Sequence, residues 1–283
     1  MATNINFNSS LGVVKNSIVI TQAGGLDPDA QAFITAAAIT DATQITAVNQ
    51  LVLAVKGYGL WNKLMALYPF VGGTAFSHKF NLKNPVDTDL GFRIIFNGGW
   101  THSSTGILPN GVTAWGDTKF RPNNFYTNWN PADHLDDIHI AYYSRTDAIS
   151  GADMGGSNTT YARGVYIMPS YAVNQYINMY GTGSIVTTSI SPTTGFIMLK
   201  RDNSLTTIKS GRNGTSTPSA QNVDNFGIYP IVLSAIARFN DTRTFFSTRE
   251  LALASIGWGL TDTEEANFNT AVQAFQTTLG RNV

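Results

Sequence analysis

Short hydrophobic segments with a period of two residues constrain the fold of this chain most strongly. The first is Phe92–Phe96 and the last is Phe245–Ile256, and turn residues rather than helical patterns separate them. Between them lie Ile138–Tyr143, Gly164–Met168, Gln175–Tyr180, Phe196–Leu199, Leu205–Lys209 and Phe226–Ala237. Short strands without intervening helices are typical of two packed antiparallel sheets. The sequence therefore predicts a mainly β protein, an antiparallel β-sandwich of the jelly-roll type.

Local signals mark one hairpin and one helix in the second half of the chain. Asn213-Gly214 is a dipeptide that favours a tight hairpin turn. Thr261 and Glu264 form a capping box ahead of an apolar stripe with helical spacing. We therefore expect a C-terminal helix that ends at Gly280 and packs on the sandwich or on a neighbouring subunit.

Three regions can be distinguished along the chain. Residues 1–25 are polar and irregular, and we interpret them as an N-terminal arm. Residues 26–72 form a helical segment, because their apolar residues recur at helical spacing. Residues 73–283 form the β-sandwich domain, which the C-terminal helix closes.

Caps and spacing predict three helices in the helical segment. Asp27 followed by a proline is a helix start, and Thr40 or Asp41 caps a second helix. The leucines between residues 60 and 67 predict a third, short helix that ends before a proline.

Composition and charge exclude several classes of protein. The 283-residue chain has no cysteine, which excludes disulfides, thiol nucleophiles and cysteine-ligated metals. Its 18 basic side chains are balanced by 18 acidic ones, whereas a protein that binds phosphates through charge should be basic. No signal peptide and no apolar stretch long enough to span a bilayer is found. We therefore expect no nucleic-acid partner and no membrane insertion.

The sequence shows no motif of a known catalytic or cofactor-binding class. It has no P-loop, dinucleotide fingerprint, zinc-protease helix or serine nucleophile elbow, so no cofactor is expected. A glycosidase needs two carboxylates at a defined separation, and nothing in the sequence singles out such a pair. The chain is therefore predicted not to be an enzyme, with a capsule-degrading glycosidase kept as a third alternative.

A polar cluster precedes the strand predicted near residue 138. Asp133, Asp136 and Asp137 supply oxygen atoms of the kind that calcium prefers, and they are the candidates for a cation site. Their spacing matches no calcium loop, and a solvated turn explains the cluster as well. Elsewhere, His78 and His102 are expected to face each other near the start of the sandwich.

A long stretch between about residues 98 and 134 is rich in glycine, asparagine and proline, and it carries several aromatic side chains. Long segments without regular structure are often functional. Aromatic rings stack on sugars and amides bond sugar hydroxyls. The candidates for a glycan site are therefore Trp115, Tyr126, Asn128 and Trp129. The alternative is that the tryptophans pin the stretch to the core or fill a subunit interface.

Six segments carry a resemblance to a known family. They are Leu60–Ala75, Ser77–Val86, Phe96–His102, Gly106–Gly111, Ser255–Glu264 and Val272–Arg281. With them the chain resembles structural proteins of tailed phages of Bacteroidota hosts, over roughly residues 30 to 283. Members of that family form virion fibres or appendages, often with a concanavalin A-like or laminin-G-like domain. The resemblance implies a concanavalin A-like sandwich and a place in a virion, and it carries no functional residue over.

Two functions from different classes follow. The first is an appendage that binds host surface polysaccharide non-covalently and is anchored to other virion proteins by its N-terminal region. The second is a purely structural virion component, such as a head decoration, collar or tail assembly protein. In either case we expect a homo-oligomer, taken as a trimer, because virion appendages are symmetric. We expect the chain to be made in the host cytoplasm and released by lysis as part of the virion.

Overall fold

The computed structural model describes residues 25–121, 137–224 and 229–283, and it confirms the mainly β fold. The described helices are α1 (Pro28–Ala36), α2 (Ala42–Gly57), α3 (Ala75–His78) and α4 (Asp262–Thr278), with 3-10 turns at Trp61–Lys63 and Asp89–Gly91. One sheet contains eight strands, β1 (Leu64–Tyr68), β3 (Trp100–Ser103), β4 (Gly106–Pro109), β6 (Ile138–Ser144), β11 (Gly195–Arg201), β12 (Thr207–Arg212), β13 (Thr215–Ala220) and β17 (Leu251–Gly257). The other contains nine, β2 (Ile95–Asn97), β5 (Trp115–Asp117), β7 (Met154–Ser157), β8 (Gly164–Tyr171), β9 (Asn174–Met179), β10 (Ile185–Thr188), β14 (Val232–Leu233), β15 (Ile236–Arg238) and β16 (Arg243–Thr244).

The two sheets are antiparallel apart from one short pairing. The eight-stranded sheet runs β13-β12-β11-β6-β17-β4-β3, and β1 adds to β17. The nine-stranded sheet runs β10-β9-β8-β7-β14-β5-β2, with β15 pairing to β7 in parallel and to β16. Register in the centre of the eight-stranded sheet is set by β6, where Ile140 lies opposite both Leu199 and Ile256.

Alternation along the strands of the eight-stranded sheet builds two separate cores. Ile140 and Tyr142 of β6 point between the sheets, whereas Ala141 and Tyr143 point to the outer face. On that outer face they pack with α1, α2 and α4, including Phe268 of α4. The helices thus form a third layer over one outer face of the sandwich, and β6 is buried along its whole length.

Capping and turn signals in the sequence correspond to the observed elements. Asp27 caps α1, Asp41 caps α2, and Thr261 with Glu264 forms the capping box of α4. The Asn213-Gly214 turn joins β12 to β13 with φ angles of 52° and 79°, as a two-residue turn with two left-handed positions requires.

The helix predicted from the leucines between residues 60 and 67 is wrong. After the 3-10 turn, Leu64–Tyr68 is the strand β1, in which Leu67 pairs with Ser255. Four of its five residues are buried, and a short strand buried on both faces has no alternation that distinguishes it from a helix. Residues 26–72 therefore contribute a strand to the sandwich as well as two helices.

Four other stretches differ from their predictions. The strand predicted at Phe245–Ile256 begins only at Leu251, in β17, and Phe245 has a left-handed φ of 52°. The strand predicted at Phe92–Phe96 is confined to β2, because Phe92 has a left-handed φ of 54°. The apolar stretch that ends at Ala237 splits into β14 and β15 around Ser234, which has a φ of 59°. The described part of the supposed irregular stretch after residue 98 contains β3, β4 and β5. Residues 1–24 of the predicted arm lie outside the described residues.

In the described residues, no helix has the length and apolar character needed to cross a membrane.

Candidate functional site

An aromatic recess lies on the outer face of the nine-stranded sheet, away from the helices. Val165 and Ile167 of β8 point into the core between the sheets, so Tyr166 and Met168 point outward. Tyr176 of β9 joins them on the outer face. The recess has a volume of about 290 Å³. We call it the aromatic cup, and its rings are Tyr161, Tyr166, Tyr171, Tyr176 and Phe245.

The rings of the cup stand edge to face rather than in a flat stack. Tyr161 and Tyr171 approach Phe245 with ring centroids 5.2 Å and 5.3 Å away and interplanar angles of 68° and 85°. Tyr176 lies 6.1 Å from Tyr171 at 73°. Edge-to-face contacts hold each ring in place and leave apolar ring surface turned toward the recess. Tyr171 remains 40% exposed, so part of this surface is open to a ligand.

Hydrogen bonds fix the polar ends of the tyrosines. The Tyr166 hydroxyl donates to the carbonyl of Tyr161 at 2.9 Å and also bonds the Ser184 hydroxyl. The Tyr161 hydroxyl donates to Oγ1 of Thr244 at 3.1 Å. Burial raises the pKa of Tyr166, so its hydroxyl stays neutral at physiological pH. The cup is therefore a preformed, uncharged surface with hydroxyls at its edge.

A second recess lies at the end of the sandwich, where the chain passes between the sheets. It has a volume of about 430 Å³ and is rich in hydroxyl groups. We call it the hydroxyl cleft, and it is lined by Asp147, Ala148, Ile149, Ser170, Ala172, Val173, Ser189, Ile190, Ser191 and Thr193. Oδ1 of Asp147 accepts hydrogen bonds from the Thr193 amide at 2.8 Å and hydroxyl at 2.9 Å. Those bonds lower the pKa of Asp147, so the cleft carries one negative charge.

A buried ion pair supports the cleft from below. Arg249 and Asp153 are both fully buried, with Nη1 of Arg249 3.1 Å from Oδ2 of Asp153. Arg249 also donates to the carbonyls of Ala148 and Ser170, at 2.7 Å and 2.9 Å from its Nη2. Because Arg249, Asp153 and Ser170 are buried, these bonds hold the cleft wall in one geometry.

Trp115 is the one predicted glycan-site residue that the structure describes. It lies on β5, half-buried beside Val232 and Phe246, and the guanidinium carbon of Arg243 is 4.0 Å from its ring centroid. One ring face is thus covered by a cation. Tyr126, Asn128 and Trp129 lie outside the described residues, so that site stays a prediction.

The predicted cation site is only partly described. Asp133 and Asp136 lie outside the described residues. Asp137 precedes β6 and lies close to Gly259, where an added Cβ would come within 2.3 Å of its Oδ1. Within residues 25–121, 137–224 and 229–283, no group of three or more histidine or acidic side chains is placed to hold a metal ion.

The expectation that His78 and His102 face each other is confirmed. Their Nδ1 atoms are 3.0 Å apart. Nε2 of His78 accepts from the Gly73 amide at 3.2 Å, so Nδ1 of His78 carries the proton and donates to His102. Burial, followed by the charge of His102, lowers the pKa of His78 to about 3. The pair is therefore neutral and structural near pH 7.

The three glutamates are all engaged in structural contacts. Glu250 lies 2.8 Å from Arg145, and Glu264 caps α4 and pairs with Lys63 at 2.7 Å. Glu265 is buried and lies 2.8 Å from the fully buried Nζ of Lys200 on β11. The last pair fastens α4 to the eight-stranded sheet.

Comparison with known proteins reveals a shared fold. No family model and no curated protein matches the chain. A mutant of Trypanosoma rangeli sialidase displaying trans-sialidase activity superimposes with a TM-score of 0.53 at 8% identity, over 82% of this chain and 39% of the sialidase. A second match is CBM40 of the Ruminococcus gnavus IT-sialidase bound to α2,3-sialyllactose, with a TM-score of 0.36 at 16% identity, over 47% of this chain and 82% of that one. A third is domain 4 of a GH43 arabinanase from Geobacillus stearothermophilus with arabinotriose, with a TM-score of 0.38 at 11% identity, over 73% of this chain and 98% of that domain.

The prediction that the chain is not an enzyme, which was based on the lack of a recognised motif, is wrong. The sialidase match shows that a β-sandwich arrangement of this kind also occurs in an enzyme. Lack of a recognised motif on such a fold does not exclude catalysis, because function depends on the site rather than on the fold. The fold leaves enzymatic activity open.

Sequence analysis missed the aromatic cup. The segments that contain Tyr166 and Tyr176 are predicted as strands, but no site is predicted on the face where these tyrosines lie. Tyrosines that alternate with Val165, Ile167 and Ile177 were the available signal, since alternation places them on the face opposite the core.

Proposed function

We propose that this chain binds surface polysaccharide non-covalently, as an appendage protein of a phage virion. The observation that carries the glycan-binding part is the aromatic cup, which presents preformed tyrosine and phenylalanine surface on an outer sheet face that the helices leave uncovered. Aromatic faces pack against the apolar faces of sugar rings, and a preorganised site costs little entropy on binding.

The phage part of the proposal has a different support. It rests on the resemblance of six sequence segments to virion appendage proteins, and none of the comparisons bears on it. The same resemblance supports attachment to other virion proteins through the N-terminal region and assembly as a homo-oligomer.

The sharpest test of glycan binding uses two tyrosines of equal exposure on opposite sides of the molecule. Tyr171 in the cup is 40% exposed, and Tyr58 beside α2 is 41% exposed. Fluorescently labelled protein should bind host cells saturably, compete with phage adsorption, and lose binding when the surface polysaccharide is removed. Tyr171→Ala should abolish this binding, and Tyr58→Ala should leave it intact. Equal binding by the two variants would remove the cup from the proposal.

A purely structural role in the virion is the second candidate, and one observation favours it. Leu90 is 86% exposed, and Phe76 and Val86 are also exposed in the same part of the sequence. Exposed apolar side chains of this size often mark protein contacts. Cells that fail to bind the assembled oligomer, together with cross-links from Leu90→Cys to other virion proteins, would favour this role.

A further inference from the structure

The aromatic cup and the hydroxyl cleft meet at one hairpin turn. In the turn between β8 and β9, Tyr171 pairs with Asn174 and two residues connect them. Tyr171 lines the cup, whereas Ser170, Ala172 and Val173, its neighbours in the chain, line the cleft. A ligand that stacks on Tyr171 therefore lies one residue away from the cleft wall.

The two recesses offer complementary contacts to a sugar chain. The cup supplies ring faces, and the cleft supplies accessible hydroxyls from Ser189 and Ser191. The cleft also has two exposed aliphatic walls, because Ile149 and Val173 are 71% and 78% exposed. Apolar faces and hydroxyl edges are what a pyranose presents, since its ring carbons are apolar on one face and its hydroxyls point outward. Each recess alone therefore matches part of a carbohydrate, and together they match a chain.

Charge narrows the class of carbohydrate further. Of the described residues that line the two recesses, only Asp147 carries a charge, and its lowered pKa keeps that charge negative. Three arginines lie nearby, and each already has a partner. Arg212, whose charge acts on Asp147, donates to the carbonyl of Thr194 beside the cleft. Arg238 lies over the Tyr161 ring at 5.0 Å and donates to the carbonyl of Thr159, and Arg249 is buried against Asp153. An acidic glycan would meet a carboxylate in the cleft and find no cation there to pair with.

We propose that the cup and the cleft form one extended site for a neutral, linear oligosaccharide, which crosses the Tyr171–Asn174 turn. One sugar stacks in the cup, and the following sugars lie along the cleft between Ile149 and Val173. This inference rests on the proposed glycan binding and adds its substrate class, an uncharged chain of several sugars rather than a single terminal sugar. The cleft wall needs little rearrangement, because Arg249 holds the carbonyls of Ala148 and Ser170 in place.

Calorimetric titration of the full chain tests the proposal. The probes are size-fractionated neutral glucan, mannan, galactan and arabinan oligosaccharides, from the monosaccharide upward, and a polygalacturonate series as the acidic counterpart. For the best neutral series, affinity should rise about tenfold or more from the monosaccharide to the longer chains, as one or two hydrogen bonds in the cleft would supply. It should then level off once the cleft is filled.

Cleft variants separate this inference from the proposed function. Val173→Glu and Ile149→Glu place charge and bulk on exposed cleft walls, and Val112→Glu is the matched control at an exposed position outside both recesses. The two cleft variants should bind the monosaccharide within about twofold of wild type yet lose the tenfold gain with length. The control should keep that gain, and all three should melt like wild type.

Three outcomes would overturn the inference. If the monosaccharide binds as tightly as the longest chain, or the cleft variants retain the gain with length, the cleft takes no part in binding. If the polygalacturonate series binds more tightly than the neutral one, the charge argument fails. In both cases the cup remains a glycan site. If no series binds at all, the proposed function fails, and the extended site fails with it.

Discussion

The two outer faces of the sandwich differ, because helices of the chain cover one and leave the other exposed. On the eight-stranded sheet, Tyr143, Phe196 and Leu253 are fully buried beneath α1, α2 and α4. On the nine-stranded sheet, the small cluster around Tyr166 and Met168 carries the half-exposed rings of the aromatic cup. Both faces are apolar, so the difference lies in what covers them. A sheet face that the chain itself covers contributes to stability, and one left uncovered is available to a partner.

The largest expected effect is a loss of stability when the packing of α4 on the covered face is disrupted. Phe268 of α4 is fully buried, and its ring centroid lies 5.3 Å from that of Phe196. Phe268→Ala should lower the free energy of unfolding by about 3–5 kcal/mol, because it leaves a cavity between α4 and the sheet. Denaturant titration measures the loss. Below the unfolding transition, sugar binding by the folded fraction should be unchanged. A loss under about 1 kcal/mol would mean that the helices contribute little to this face.

The next largest effect is expected on acidification, which should reduce stability through the covered face and leave sugar binding at the aromatic cup unchanged. His139 is buried beneath α4, where burial lowers its pKa to about 4 from the ordinary 6.5. The unfolded chain takes up the proton first as pH falls, so stability is fully present above about pH 6.5 and is lost toward pH 4. This group accounts for roughly 3 kcal/mol of that loss.

Unfolding curves between these pH values measure the loss. His139→Gln, which does not titrate, should remove the share of His139 from the pH dependence, while buried His78, whose pKa is lowered to about 3, keeps its own share. The described lining of the cup has no histidine and no carboxylate, so sugar binding by folded protein should stay constant over the same range. A binding curve that follows the stability curve would contradict the separation of the two faces.

A smaller effect is expected at the Asn213-Gly214 turn, which abuts the covered face. Gly214 has a φ of 79°, and an added Cβ would lie 3.1–3.2 Å from Asn269 and Ala266 of α4. Gly214→Ala should therefore cost about 1–2 kcal/mol of unfolding free energy through backbone strain and crowding. Gly183, at a φ of 83° with open space around it, supplies the control Gly183→Ala, which carries the strain without the crowding. Equal losses would show that contact with α4 adds nothing.

The smallest effect on stability is expected in the cup itself. Tyr58→Ala should change the free energy of unfolding by no more than about 0.5 kcal/mol, since its ring is exposed. Tyr171→Ala should cost about 1 kcal/mol, because it removes the ring contacts with Tyr176 and Phe245. Thermal melts of both variants check this. A much larger loss for Tyr171→Ala would make its ring a structural element, and loss of binding in that variant would then no longer identify a ligand site.

The sequence predicted the strands and helices of the fold better than it predicted which side chains meet on their surfaces. Caps at Asp27 and Thr261 and the Asn213-Gly214 turn depend on neighbours in the chain, so they were readable locally. β1 was not, because a strand buried on both faces has no alternation to read. The cup was missed for another reason. It brings Tyr161 and Phe245, which lie in turns outside the strands, against Tyr171 at the end of β8. Phe245 is distant from the other two in sequence, so only the tertiary fold places the three rings side by side.

The position of β17 bears on how the sandwich forms in time. This strand lies between β6 and β4 and also pairs with β1, yet it follows every other described strand in the sequence. During synthesis, the edges of β6 and β1 that pair with β17 stay unpaired until residues 251–257 emerge from the ribosome. Pairing between residues so far apart in sequence slows folding, and unpaired strand edges are prone to aggregation in the meantime. Closure of the eight-stranded sheet is therefore a late step in folding.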